Sequence, residues 1–185
     1  MINEQLLLSR LHDKKTRDSA FSEIVTLYSE KLYWVIRHIV GSHDDADDVV
    51  QETFIKAWNK IDYFRGDSQI GTWLHRIAVN EALDHLRREK KHLENDVELT
   101  NTSDSTTFAD KYFDGDETER LLREAMNTLP EAQRAVFALK YFEDKPYKEI
   151  SQILGTSEGG LKANYHYAVE KIKKHLQKSI ILSYN

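Results

Sequence analysis

The chain has no cysteine, so neither a disulfide framework nor a cysteine-based zinc site can be built from it. Helix breakers are scarce too: two prolines and seven glycines among 185 residues. Apolar residues recur mostly at three- and four-residue spacing, and together these features predict an all-helical protein. No apolar run approaches the ~20 residues of a membrane span. The start of the chain lacks the charged stretch and apolar core of a signal sequence. The expected compartment is therefore the cytoplasm, with no direct insertion into a membrane. The eight histidines are scattered, without an HExxH or other paired-ligand spacing, so no metal and no cofactor is expected. Charge is plentiful, with 31 acidic against 26 basic residues and a net charge of −5. That sum is wrong for a DNA binder, but the distribution matters more than the total.

Two helical stretches flank a segment of different character. In the first, Phe21, Ile24, Val25, Tyr28, Leu32, Val35, Ile36 and Ile39 share one helical face. Gly41 and Ser42 end that helix, and Asp44, Asp45, Asp47 and Asp48 load negative charge onto the start of the next. Val50, Phe54, Ala57, Trp58 and Ile61 form its apolar stripe. After a polar break, Trp73, Leu74, Ile77, Ala78 and Ala82 continue as a helix toward the basic end at Arg87 and Arg88. Over residues 93–117 Asn, Thr, Ser and Asp dominate, and many carboxylates face the single cation Lys111, which predicts a flexible acidic linker. Helical periodicity returns afterwards, with Pro130 and Pro146 each opening a helix. The expected organisation is thus two small helical domains, 1–92 and 118–185, joined by a linker over 93–117.

The C-terminal stretch has the form of a helix-turn-helix: Tyr147–Leu154, a turn at Gly155-Thr156-Ser157, then a long helix from Glu158. Ile150, Ile153, Leu154, Leu161, Tyr165 and Ala168 would hold the two helices together, leaving Lys162, Asn164, His166, Tyr167 and Lys171 for a groove. Ser157 or Thr156 would cap the second helix, and Gly159 and Gly160 would let backbone amides approach a phosphate. The same pattern also fits an ordinary helical hairpin. In the first stretch, the break carries Tyr63, Phe64, Arg65, Gly66, Asp67, Ser68 and Gln69. Aromatic faces stack on any unpaired base, and short polar side chains beside a glycine can bond a base edge. Phe64, Trp58 and Trp73 could equally be core aromatics.

The run from Asp47 to Trp58, with the Phe64–Gln69 loop and Thr72–Asn80 after it, resembles region two of bacterial RNA polymerase sigma factors of the extracytoplasmic function (ECF) group. The helix-turn-helix then resembles their region four. The likeness implies two helical domains and no catalytic residues of its own. It implies capture of a base flipped from the minus-ten element by the loop residues Tyr63 to Gln69. Lys56, Trp73, Arg76, Asn80, Arg87 and Arg88 would contact the same DNA, and Asp48, Gln51, Glu52 and Phe54 would grip core RNA polymerase. Ser157, Gly159, Gly160, Lys162, Asn164, His166, Tyr167 and Lys171 would read the minus-thirty-five element. Many members are held by an anti-sigma factor, which makes one a candidate partner. Asn164 and Tyr167 stand where the family often has arginine, implying fewer phosphate contacts. The run Ser157 to His166 is similar to the Bacteroidetes branch of the group.

Two other readings compete. One is a stand-alone helix-turn-helix regulator with an unrelated helical sensor domain, which binds duplex DNA without polymerase. The other takes Asp44-Asp45-Ala46-Asp47-Asp48 as the DDxxD magnesium pattern of isoprenyl diphosphate synthases. Such enzymes need a second acidic cluster and a much larger bundle, and neither is visible here.

Overall fold

The computed structural model describes residues 4–97 and 117–183, and within them every regular element is a helix. The first lobe comprises α1 (Glu4–His12), α2 (Arg17–Val40), α3 (His43–Lys60), a single 3-10 turn (Ile61–Tyr63) and α4 (Ile70–Val97). The second comprises α5 (Glu117–Asn127), α6 (Glu131–Phe137) running into a π turn (Ala138–Phe142), α7 (Tyr147–Leu154) and α8 (Glu158–Ser183). The acidic segment is trimmed at both ends relative to its composition, because α4 runs to Val97 and α5 already starts at Glu117. The remainder of that segment lies outside the described residues.

Local chemistry sets the boundaries. Gly41 ends α2 in the left-handed region at φ 89°, a conformation that glycine adopts at no steric cost. Ser42 then caps α3 by accepting the Asp45 amide at 3.4 Å, and Asp44 and Asp45 place negative charge at the positive end of the helix. α2, α3 and α4 pack through Ile24, Leu32, Ile36, Ile39, Val49, Ala57, Leu74 and Ala78, all inaccessible to solvent. α1 adds Leu7 and Leu11 to the same core.

The two lobes pack against each other in this structure. One contiguous core joins α2 and α4 to Ala135, Val136, Leu139, Ile150, Ile153 and Leu161 of the second lobe, and a smaller cluster of α5, α6 and α8 flanks it. Buried Arg134 of α6 crosses the seam. It donates to the Ile39 carbonyl at the end of α2 (3.0 Å), to the Asn127 carbonyl at the end of α5 (2.8 Å) and to the Leu129 carbonyl just beyond it (3.4 Å). One guanidinium thus satisfies carbonyls that two helix ends leave without intrahelical partners. Burial lowers its pKa from the usual value, though a guanidinium stays charged.

His38 of α2 stacks on Phe142 across the same seam, with ring centres 3.6 Å apart and planes 7° apart. Beside them Tyr33, Trp34, Arg37, Leu122, Arg123 and Met126 line a cavity of about 120 Å³. Burial pushes the His38 imidazole down to about 4, against the opposing pull of the Trp34 backbone, while Arg37 and Arg123 add to the lowering and Glu143 counters it. A folded-state pKa below the unfolded one means the unfolded chain binds the proton more readily. Stability is therefore full above pH ~6.5 and is lost as pH falls toward 4. Going from pH 7 to 5 should cost ~2 kcal/mol through this residue alone. Urea unfolding of His38→Phe at both pH values should show a loss smaller by that amount; an identical loss would remove His38 from the account.

Candidate nucleic-acid interface

The loop between the 3-10 turn and α4 owes its shape to Gly66, at φ 78°, where an added Cβ would also come within 2.9 Å of Leu8. From that turn Arg65, Asp67 and Gln69 project into solvent, and Ser68 is half-buried. Tyr63 is 79% exposed, its ring free on the surface. Phe64 is not. It is 5% exposed and packs 4.9 Å from Trp73, itself half-buried against the core, so the expected stacking role of Phe64 is corrected to that of an anchor under the loop. The chain turns outward at Tyr63 and inward at Phe64, and one aromatic of the pair faces solvent.

α4 carries most of the remaining residues of this surface, and α3 supplies Lys56. Trp73, Arg76, Asn80 and Arg87 recur at three, four and seven residues, a spacing that puts them along one helical stripe. Arg76 and Asn80 are exposed. Lys56 of α3 is held by the buried carboxylate of Glu81, a partner 25 residues away that no local spacing singles out. Arg87 pairs with Asp84 at 2.8 Å and with Glu131 of the second lobe at 3.1 Å. Arg88 pairs with Glu52 at 3.2 Å, so a residue expected on DNA and one expected on polymerase neutralise each other in this arrangement.

On α3, Asp48 and Gln51 are exposed and Glu52 is half-buried. Phe54, expected on the same gripping surface, is 9% exposed and lies edge-on to Phe21 at 6.4 Å. Its ring belongs to the core, in phase with the apolar stripe, while Ile55 and Trp58 are the apolar side chains that α3 leaves exposed among its polar ones.

In the helix-turn-helix, Gly155 closes α7 at φ 66° and Ser157 caps α8, its hydroxyl accepting the Gly160 amide at 3.3 Å. The cap thereby occupies the Gly160 amide. Gly159 lies one residue earlier, where position alone leaves its amide without an intrahelical acceptor, and an added Cβ would meet nothing within 4 Å. Lys162, His166, Tyr167 and Lys171 are exposed and Asn164 is half-buried, while Leu161 and Ala168 face inward. Lys162 also sits 5.7 Å from the Tyr147 ring.

The polar loop meets the second lobe at α7. Ser68, Gln69 and Thr72 face Pro146, at the N-cap of α7, and Lys148, Glu149 and Gln152 of α7 across a groove of about 290 Å³. Nearby, His75 of α4 lies 3.8 Å from Glu143, and that proximity lowers the pKa of the carboxyl. The polar loop therefore opens onto the second lobe in this state.

Comparison with known families gives a consistent pattern. Sigma-70 region 2 matches residues 24–92 and Sigma-70, region 4 matches residues 119–172. The chain is 30% identical to the ECF RNA polymerase sigma factor SigW of Bacillus subtilis over 184 residues, covering 94% of this chain and 98% of that one. It is 31% identical to the ECF RNA polymerase sigma-E factor of Haemophilus influenzae over 187 residues, covering 95% and 96%. Among solved structures, the sigma factor RpoE of Bartonella quintana, in complex with the anti-sigma factor NepR, superposes with a TM-score of 0.67 at 25% identity, covering 85% of this chain and 96% of that one. CnrH, in complex with the cytosolic domain of CnrY, shares the fold with a TM-score of 0.65 at 22% identity, covering 95% and 97%.

Proposed function

The chain belongs to the ECF sigma factors of RNA polymerase, and from that premise we propose how its own residues share the work of promoter recognition. As a sigma factor it directs core RNA polymerase to promoters, and it acts as an initiation factor rather than as an enzyme. The proposed division is 1–92 for polymerase and the minus-ten element, 93–117 as the connector, and 118–185 for the minus-thirty-five element. Exposed Asp48 and Gln51, with half-buried Glu52 once it is released from Arg88, offer the polar face of α3 to cations of the polymerase. Tyr63 supplies a stacking face, and Asp67, Ser68 and Gln69 supply hydrogen bonds to a flipped base. Arg76, Asn80 and Arg87 carry the adjoining strand along α4. The amide of Gly159, with Lys162, His166, Tyr167 and Lys171, meets the duplex at α8. The run Ser157 to His166 supports a place in the Bacteroidetes branch, and the family makes an anti-sigma factor a candidate partner.

The observation that carries this reading is the placement of the polar loop. It is exposed at Arg65, Asp67 and Gln69 and is held by buried Phe64 and Ile70 on either side. A plain connector needs no such anchoring. The closed arrangement also bears on mechanism. Elements centred about 25 base pairs apart lie ~85 Å apart along B-DNA at ~3.4 Å per step. A compact chain of this length has a radius of gyration of only ~16 Å. The residues between Val97 and Glu117 can span at most ~70 Å when extended. Both elements are reached together only when the lobes separate, which also frees Ser68 and Gln69 from α7.

Pull-down with core polymerase followed by in vitro transcription tests the assignment. Promoter-specific initiation is expected only with both present. Tight sequence-specific duplex binding by the free protein would favour the stand-alone regulator instead. In the assembled holoenzyme, Lys162→Ala should reduce the slope of log affinity against log salt by roughly one unit, the signature of one phosphate contact. An unchanged slope would take Lys162 off the DNA.

A further inference from the structure

We propose that Asp45, His85 and Glu89 form a binding site for one divalent transition-metal ion of the zinc class, pinning the first turn of α3 to α4. His85 and Glu89 are one helical turn apart on α4, and Asp45 reaches them from the start of α3. The His85 Nε2 lies 3.3 Å from the Asp45 carboxylate and 3.8 Å from that of Glu89. One donor atom from each of the three falls within 4.8 Å of the others. A second observation says how they are aimed. The Nε2 is shut off from solvent and makes no hydrogen bond, although a carboxylate oxygen is 3.3 Å away. The two carboxylates lie within ion-pair distance of the same imidazole nitrogen, neither in hydrogen-bonding geometry, so the three donors cluster around one small volume.

An ion bonded at ~2.0–2.2 Å to each donor holds neighbouring donors ~3–4 Å apart; the two distances from His85 already lie in that range, and the two carboxylates, within 4.8 Å of each other, close by about an ångström at most. The donor set selects the ion. Magnesium and calcium prefer all-oxygen shells, whereas an imidazole with two carboxylates suits zinc, cobalt or nickel. Two carboxylates and a neutral imidazole also balance a charge of +2. Glu89 is 48% exposed, so water can complete the coordination shell. The backbone is already braced, because Ala46 and Val49 of α3 and Ala82 of α4 are buried between the two helices. None of the three residues is assigned to polymerase or DNA above, so the site can be disabled without touching those contacts.

The test uses untagged full-length protein stripped with a chelator, titrated with zinc chloride against a chromophoric competitor and, separately, with cobalt chloride, whose visible absorption reports its ligands. One ion per chain is expected, with no competition from magnesium chloride at the same concentration. At about a hundredfold excess over Kd, zinc should raise the melting temperature by several degrees. Glu89→Gln and His85→Ala should each weaken binding at least ~10-fold, while His12→Ala, an exposed histidine of α1, should not. If His85→Ala fails to fold, the half-exposed Glu89→Gln carries the comparison. Substoichiometric binding, equal affinity in Glu89→Gln, or equal competition by magnesium would each overturn the site.

Discussion

Arg134→Ala should lower the unfolding free energy by ~2–4 kcal/mol and swell the free protein. Three carbonyls lose a charged donor at once, and the Ile39 carbonyl is left in the interior. Hydrogen bonds to charged groups contribute ~1.5–3 kcal/mol each, offset in part because alanine spares the cost of burying a guanidinium. The position of the loss matters more than its size. Since one of these bonds ties α6 to the end of α2, its removal should shift the free chain toward separated lobes, with the radius of gyration rising well above the compact value of ~16 Å. If closure opposes polymerase binding, apparent affinity for core polymerase should rise by the factor through which the open fraction increases. Arg134→Lys keeps the charge but not the planar fork, and should fall between the two. Denaturant unfolding, small-angle scattering and polymerase titration measure the three quantities. A destabilised protein of unchanged radius would make Arg134 a brace of the second lobe rather than a clasp between lobes.

Replacing Asp67, Ser68 and Gln69 together by alanine should cut open-complex formation by about tenfold to a hundredfold while duplex recruitment persists. A lost base-specific contact costs ~1–3 kcal/mol, and nothing the loop rests on is removed. Tyr63→Ala should behave in the same way through lost stacking, ~1–3 kcal/mol per base, with little change in stability because the ring is exposed. Phe64→Ala is the control with the opposite signature. Its ring is buried against Trp73, so the loss should be ~3–5 kcal/mol of folding stability before any effect on DNA. Permanganate footprinting of the melted strand reads the first two and denaturant unfolding the third. Unchanged melting and base preference in the triple variant would reduce the loop to a connector.

The contrast between Tyr63 and Phe64 shows where sequence reading stops. Helix faces were legible because burial imposes a period. Ile24, Leu32 and Ile36, or Ile150, Ile153 and Leu161, announce an inward side by spacing alone. Ends were legible because Gly41, Pro146, Gly155 and Ser157 have backbone and hydrogen-bonding preferences that act within a few residues. Phe54 is instructive in the other direction. Its spacing with Val50 and Ala57 already put it in the core, and only the family likeness placed it on a partner surface. A loop has no period, so nothing local distinguishes Tyr63 from Phe64; Trp73, nine residues beyond Phe64, made that choice.

Composition and spacing by themselves determined an all-helical chain with two helical stretches around an acidic segment, a capped helix-turn-helix and a polar aromatic loop. Only the tertiary structure decided that the lobes share a core, that Arg134 closes two helix ends, that Arg88 meets Glu52, and that Asp45 meets His85. The reason is physical. Propensity, capping and amphipathicity are interactions among residues a few positions apart and leave a pattern in the sequence. The pairing of residues forty or a hundred positions apart depends on how whole helical faces pack, and a single chain carries no periodic trace of it.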